Sequence, residues 1–287
     1  MKKFAVIDIG SNSVRLMLVA DGKVLYKTLN TTRLGEGIAI RPILKPAAIL
    51  RTAEAVAQFY ERAKSEGANE IYAFATAAVR SAENKEEFLS AVRNLCPLEV
   101  EIVSGEEEAT LGIVGALGEE DGVLIDVGGA STELVVQKDK KLIYKKSIDV
   151  GIVRLKDECG RDKTRLLTTA NARVKEYGNV PVLSRVYAIG GTATTLAALS
   201  LGLDSYDSKK VTGAYISCAQ MRELSEKLLQ MSVAETAALP CVSKGREDVL
   251  AGGAVWLSTL MQTLEIEHLI VSDKDNLEGY AIKKGLL

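Results

Sequence analysis

Two stretches of this chain are near-copies of one another, and their repetition limits the possible fold more than any other feature. Ile7-Asp8-Ile9-Gly10-Ser11-Asn12-Ser13 recurs as Ile125-Asp126-Val127-Gly128-Gly129-Ala130-Ser131. A gapless overlay of residues 7–26 on 125–144 matches Ile7, Asp8, Gly10, Ser13, Leu16, Asp21, Lys23 and Tyr26. Eight identities in twenty positions mark an internal repeat. Each copy lies between short apolar runs, so each reads as strand, tight turn, strand.

The order of elements around the copies repeats as well. Three antiparallel strands (residues 3–7, 14–19 and 23–28) are separated by Gly10 and by the Asp21-Gly22 hairpin signal. A helix from Pro46 to about Glu66 follows, stopped by Gly67, then a strand at 71–76, a helix from about Asn84 to Leu95, a strand at 100–103 and a helix capped by Ser104. From Gly122 the pattern restarts, with strands at 122–127, 133–137 and 141–147, helical stretches at about 150–177 and a strand at 186–189 turned into a helix by Gly190-Gly191-Thr192. Helices at 218–230 and from about Arg246 to Leu264, a strand at 268–272 and a helix from about 276 complete it. The expectation is an α/β protein of two halves, 1–120 and 121–287, each βββαβαβα, facing one another across a cleft. The last helix is free to pack back on the first half.

A chain of 287 residues is long enough to bury roughly three quarters of its unfolded surface. No apolar run approaches the ~18 residues of a membrane span, and a net charge of −2 argues against a duplex nucleic-acid binder. The start, Met1-Lys2-Lys3, runs directly into a strand, so a cytoplasmic location is expected. Cys96, Cys159, Cys218 and Cys241 have no metal or redox spacing and read as reduced core thiols. The single histidine, His268, lies in an apolar strand and reads as structural.

Three turns have the composition that phosphate binding needs, because glycine lets backbone N–H groups approach an anion closely. They are Gly10-Ser11-Asn12-Ser13, Gly128-Gly129-Ala130-Ser131-Thr132 and Gly190-Gly191-Thr192, the last with a helix N-terminus behind it. Neither GxxxxGK[ST] nor GxGxxG occurs, which sets aside P-loop and Rossmann readings. Asp8 and Asp126 end strands just before two of these turns. Each can hold Mg²⁺ beside phosphate oxygens, or simply accept hydrogen bonds from its own turn. In Glu106-Glu107-Glu108 the first two glutamates suit the helix dipole. Glu108 and Glu133 are the candidates to orient or deprotonate a water. Arg33 and Arg80, at loop positions, either clamp a polyanion or lie on the surface.

At these residues the chain resembles the exopolyphosphatase / guanosine pentaphosphate phosphohydrolase family of the actin, Hsp70 and sugar kinase superfamily, with two ribonuclease H-like domains. The resemblance runs through Asp8-Ile9-Gly10-Ser11-Asn12-Ser13-Val14-Arg15-Leu16, Thr32-Arg33-Leu34-Gly35-Glu36-Gly37, Thr76 to Asn84, Ser104-Gly105-Glu106-Glu107-Glu108-Ala109, Asp126 to Glu133, Ile189 to Thr192 and Arg246 to Gly253. It implies that Arg80 contacts substrate, that Glu108 activates water, and that Asp126 and Glu133 serve metal and phosphate. There are departures. Ala130 replaces a glycine, and Ser272-Asp273-Lys274-Asp275-Asn276-Leu277-Glu278-Gly279 stands where the family pattern is Ser-x-x-Gly-Leu-Arg-Glu-Gly, without the arginine. The helical C-terminal domains of longer relatives are not in the sequence, and a weaker hold on very long polyphosphate is expected.

The expected protein is a Mg²⁺-dependent phosphohydrolase acting on inorganic polyphosphate or guanosine pentaphosphate, a homodimer by resemblance. In it Asp126, Asp8 and Glu133 hold the metal, and Glu108 with Glu133 activates water. The three turns with Arg15, Arg33 and Arg80 hold phosphate. An alternative from another class, prompted by Ala130 and the absent arginine, is a non-hydrolytic sensor of guanosine penta- or tetraphosphate or a nucleotide. A phosphotransferase is a third.

Overall fold

The two hairpin loops adopt one geometry. Asp21 and Gly22, and Asp139 and Lys140 in the second copy, all take positive φ (48°, 70°, 51° and 60°), the backbone of a type I′ turn, whose twist matches that of paired strands. The computed structural model describes residues 2–181 and 184–287. The first half contains β1 (Lys3–Ile9), β2 (Ser13–Ala20), β3 (Lys23–Thr31), α1 (Pro46–Ser65), β4 (Glu70–Ala75), α2 (Ala77–Ser81), α3 (Lys85–Leu95), β5 (Val100–Ile102) and α4 (Gly105–Ala116). The second contains β6 (Gly122–Val127), β7 (Thr132–Lys138), β8 (Lys141–Ile148), α5 (Ile152–Cys159), α6 (Lys163–Arg173), β9 (Val186–Ile189), α7 (Gly190–Ser200), α8 (Ser208–Val211), β10 (Tyr215–Ser217), α9 (Cys218–Gln230), α10 (Val233–Ala237), α11 (Leu250–Thr263), β11 (His268–Val271) and α12 (Asn276–Lys283).

The strand orders are β3-β2-β1-β4-β5 and β10-β11-β9-β6-β7-β8. Apart from β10, the second order repeats the first, with parallel pairing of β1 to β4 and of β6 to β9. Even the irregularity recurs: pairing shifts at Leu18/Val19 in β2 and at Val136/Gln137 in β7, equivalent places in the two copies. The expected class, two ribonuclease H-like α/β halves, is the observed one. The short strand β10, with α8 and α10, lies in an insertion between α7 and β11 that periodicity did not reveal.

Hydrophobic faces decide how the layers stack. One face of the first sheet packs under α1 and α3 around Val56, Phe59, Phe88 and Val92, and one face of the second under α5, α6, α9 and α11 around Leu155, Leu166, Met221 and Trp256. The two inner faces exchange helices. From α4, Ala109 and Ile113 pack with Leu124, Val135 and Ile189 of the second sheet. From α12, Leu277, Tyr280 and Ala281 pack with Val6, Met17 and Phe74 of the first, and Tyr280 stacks on Phe74 with ring centroids 4.6 Å apart. These two helices touch backbone to backbone: a Cβ at Gly115 would stand 2.0 Å from Asp275 O, and one at Gly279 would stand 1.9 Å from Leu111 O. The α4/α12 pair is therefore a shared middle layer.

Cys96 and Cys159 are buried, as core thiols should be, whereas Cys218 and Cys241 are only half-buried; all four are free. His268 sits in β11, exposed, with its ring edge-on to Tyr215. No helix among the described residues is long and apolar enough to cross a membrane.

Candidate active site

The repeated turns are built identically. Gly10 N–H donates to Ser13 O at 3.0 Å, and Gly128 N–H to Ser131 O at 3.0 Å. Carbonyls of each turn are consumed by the segment beside it. Asn12 O accepts from Thr32 and Arg33, and Ser11 O from Gly35; Gly128 O and Gly129 O accept from Ile152 and Val153 at the start of α5. The N–H groups of Ser11, Asn12, Gly129 and Ala130 have no backbone acceptor among the described residues. Such free amides in a glycine turn form an anion-binding concavity.

The three turns are contiguous. A Cβ at Gly129 would lie 2.7 Å from Ser11 Cβ, so the first two turns touch, and only glycine permits it. Ala130 is fully buried and its methyl joins the core of the first half. Its substitution for glycine thus adds packing and leaves its N–H free. The third turn meets the second through Asp126, whose Oδ1 would be 2.8 Å from a Cβ at Gly190, where φ is +84°. Helix α7 starts there with no side-chain cap, leaving its first amides open to an anion. Thr192 is buried, and its hydroxyl has no partner.

Charges divide the two copies. Asp8 faces Arg15 across the β1–β2 ladder. Arg15 Nε donates to Asp8 Oδ2 at 2.9 Å, and the same guanidinium bridges to Asp275 at the start of α12. At the equivalent place in the second copy, Asp126 faces Glu133 across β6–β7. Both carboxyls are buried. Desolvation first, then the charge of Glu108, raises Asp126 to about 7 and lifts Glu133 well above the ordinary glutamate range. Ser147 Oγ donates to Glu133 Oε1 at 2.7 Å, and Asn276 Nδ2 donates to Asp126 Oδ2 at 2.9 Å.

Of the acidic triplet only Glu108 turns inward. Glu106 pairs with Lys145 and Glu107 with Lys283, both toward solvent. Glu108 is buried beside Arg80, whose Nη1 lies 2.8 Å from its Oε2 and 3.0 Å from Val103 O. Burial pushes the Glu108 carboxyl up while Arg80 opposes it. Arg80 therefore holds the carboxylate expected to work on water. Arg33 instead ties the halves together: it takes a left-handed φ of 53° and bonds Asp248 Oδ1 at 2.7 Å, with Glu247 at 3.8 Å.

A cavity of about 1840 Å³ adjoins this site, lined among others by Arg15, Lys27, Gly190, Gly191, Tyr206 and Arg246. The turns at Gly10 and Gly128 do not line it. Arg246 is a functional candidate that sequence reasoning missed, though it opens the motif Arg246 to Gly253. It is 8 % exposed, and a Cβ at Gly191 would stand 2.0 Å from its Nη2. Among the described residues no carboxylate pairs with it; burial, then the like charge of Arg15, pulls it down to about 10, so it is charged at neutral pH. A buried guanidinium at the open start of a helix is a strong attractor for a phosphate.

No three His, Cys, Asp or Glu residues among those described converge as a ready-made metal centre. Mg²⁺ commonly uses only one or two carboxylates and completes its shell with water and phosphate oxygens. Asp126 and Glu133 fit that role: hard oxygen donors, opposite one another, with Glu133 Oε2 buried and unpartnered. Asp8 fits less well, because Arg15 already neutralises it, although its Oδ1 is also unpartnered.

The Ppx/GppA phosphatase family matches residues 17–286. Exopolyphosphatase 2 of Mycobacterium tuberculosis is 30% identical over 314 aligned positions, covering 98% of this chain and 98% of that protein. Guanosine-5'-triphosphate,3'-diphosphate pyrophosphatase of Aeromonas salmonicida is 27% identical over 300 positions, which take in 99% of this chain and 58% of that protein. The solved Ppx/GppA family member of Aquifex aeolicus has a TM-score of 0.79 at 28% identity, covering 99% of this chain and 98% of that one. The chain belongs to the Ppx/GppA phosphatase family.

Proposed function

We propose that this Ppx/GppA phosphatase is a Mg²⁺-dependent phosphohydrolase that releases the terminal phosphate of inorganic polyphosphate, or the 5′-γ-phosphate of guanosine pentaphosphate. The observation that carries the reading is the buried trio of Glu108, Asp126 and Glu133 set against turns with free amides. Phosphoanhydride hydrolysis asks a protein for positioning and charge neutralisation more than for covalent chemistry. Free amides of the first two turns hold the phosphate to be removed, and the start of α7 with Arg246 holds the next part of the polyanion in the cavity. Glu108, made more basic by burial and oriented by Arg80, takes a proton from the attacking water. Asp126 and Glu133 would hold Mg²⁺, which when bound neutralises phosphate oxygens. Arg15, bound to two carboxylates, serves first to hold Asp8 and Asp275 in place.

The alternative of a non-hydrolytic sensor drew on Ala130, but the buried methyl and free N–H leave that turn with its donors. The test is phosphate release in parallel from short polyphosphate, long polyphosphate and guanosine pentaphosphate, with and without Mg²⁺. Metal-dependent release from at least one substrate is expected; tight binding of the guanosine compound with no release from any would support the sensor. Light scattering on the purified protein tests the homodimer.

A further inference from the structure

Residues 275–277 depart from the family pattern, and the structure gives the departure a use. Asn276 is the first residue of α12, buried, and its amide donates to Asp126 Oδ2 at 2.9 Å across the interface between the α4/α12 layer and the second sheet. Space for this amide is made by Gly112 of α4, where a Cβ would stand 2.9 Å from Asn276 Oδ1.

The position of the amide is fixed from several sides. Asp275 caps α12, accepting from Leu277 N–H, and Glu278 reaches back to Asp275 N–H in a capping box. Asp275 is held by Arg15 of β2, and Glu278 pairs with Lys27 of β3 at 3.1 Å. The contacts at Gly115 and Gly279 lock α12 against α4, the helix that carries Glu108. Asn276 and Glu108 thus stand on one rigid unit, and Asp126 stands on the opposite sheet. A hydrogen bond to one carboxylate oxygen sets the rotation of that carboxylate and directs the other oxygen, here toward Gly190.

We propose that Asn276 is a positioning residue: its amide fixes the orientation of the Asp126 carboxylate, and with it the placement of Asp126 relative to Glu108. This rests on the phosphohydrolase reading, in which Asp126 would hold Mg²⁺. A residue that merely filled space would be replaceable by leucine, which has nearly the same volume; a positioning residue would not.

The test compares wild type, Asn276→Leu and Asn276→Asp. Phosphate release from short polyphosphate is titrated with Mg²⁺, and the Mg²⁺-dependent rise in melting temperature is measured without substrate. Loss of such an orienting partner commonly costs about 10-fold to 100-fold in metal affinity or activity. Asn276→Leu is expected to lower kcat by about 10-fold with KM for polyphosphate little changed, to need about 10-fold more Mg²⁺, and to show a smaller Mg²⁺-dependent melting shift. Asn276→Asp, which sets a like charge against Asp126, should lose more. Asn276→Ala carries the same prediction as the leucine variant should that one not fold. An unchanged Mg²⁺ requirement and a kcat within about twofold of wild type, a change too small for a lost orienting partner, would overturn the assignment. A wild type that releases no phosphate would instead sink the phosphohydrolase reading, while the melting shift still decides the role of Asn276.

Discussion

The hairpins that carry Asp8 and Asp126 share turn, loop and strand irregularity, and differ in the residue that faces the aspartate across the ladder. In the first copy it is Arg15, and the result is a closed ion network with Asp275. In the second it is Glu133, and the result is two buried carboxyls raised by burial and then by the charge of Glu108. One backbone device has diverged into a structural tie and a site that asks for a cation. On the proposed reading, the first copy serves the fold and the second supplies the carboxylates for chemistry.

The comparison can be broken by removing charge from each copy. Arg15→Met strips the shared guanidinium from buried Asp8 and Asp275, and breaking such a pair costs about 3–5 kcal/mol; urea denaturation should register a loss of that order. The same kind of change in the second copy has the opposite sign. Glu133→Gln removes a carboxyl that burial and the charges of Glu108 and Asp126 lift, so without metal at pH 8 it should stabilise the protein by about 0.5–2 kcal/mol while lowering phosphate release. Destabilisation by Glu133→Gln comparable to that of Arg15→Met would erase the distinction.

Proton linkage sharpens it further. Asp126 titrates at about 7 in the folded protein against an ordinary 3.8. Folding therefore favours its protonated form, and that contribution, complete below about pH 4, is lost as pH rises through 7. Asp275, whose carboxyl Arg15 helps to hold below the ordinary value against burial, acts the other way but only at lower pH. Metal-free melting temperature should thus fall between pH 5 and 8. Added Mg²⁺ should raise it more at pH 8 than at pH 5.5, because the ion needs the deprotonated carboxylate. A Mg²⁺ effect independent of pH would contradict this. The smallest difference lies in the loops: Lys140 takes the left-handed φ that Gly22 takes in the first copy. Lys140→Gly should add up to about 1 kcal/mol in thermal melts, with no change in turnover.

The repeat, the order of elements around it and the helices at 218–230 and from about 276 were legible because local signals wrote them: glycine turns, hydrophobic runs and caps. Three-residue β10 offers too short a period to read, and its pairing with β11 is decided by the tertiary fold. Glu108 could be picked from its neighbours because Glu106 and Glu107 suit the helix dipole, and in the structure those two turn to lysines at the surface. Arg246 could not, because what makes it notable is a side chain missing from Gly191 and, among the described residues, the lack of a carboxylate in an ion pair with it. Arg33 carries a family motif yet is occupied by Asp248, 215 residues away, and Asn276 meets Asp126 across 150. Those contacts join segments far apart in the chain, which no stretch of sequence states.

The most direct test of the asymmetry sets Asp126→Asn beside Asp8→Asn and measures phosphate release from short polyphosphate across a Mg²⁺ titration. Asp126→Asn should lose about 10²-fold or more in turnover, the loss expected when positioned charge is removed from a transition state, while its metal-free melting temperature at pH 8 holds or rises. Asp8→Asn should lose stability and keep most of its turnover and its Mg²⁺ requirement. Equal loss of turnover in both variants, or the larger loss in Asp8→Asn, would contradict the assignment of the chemistry to the second copy.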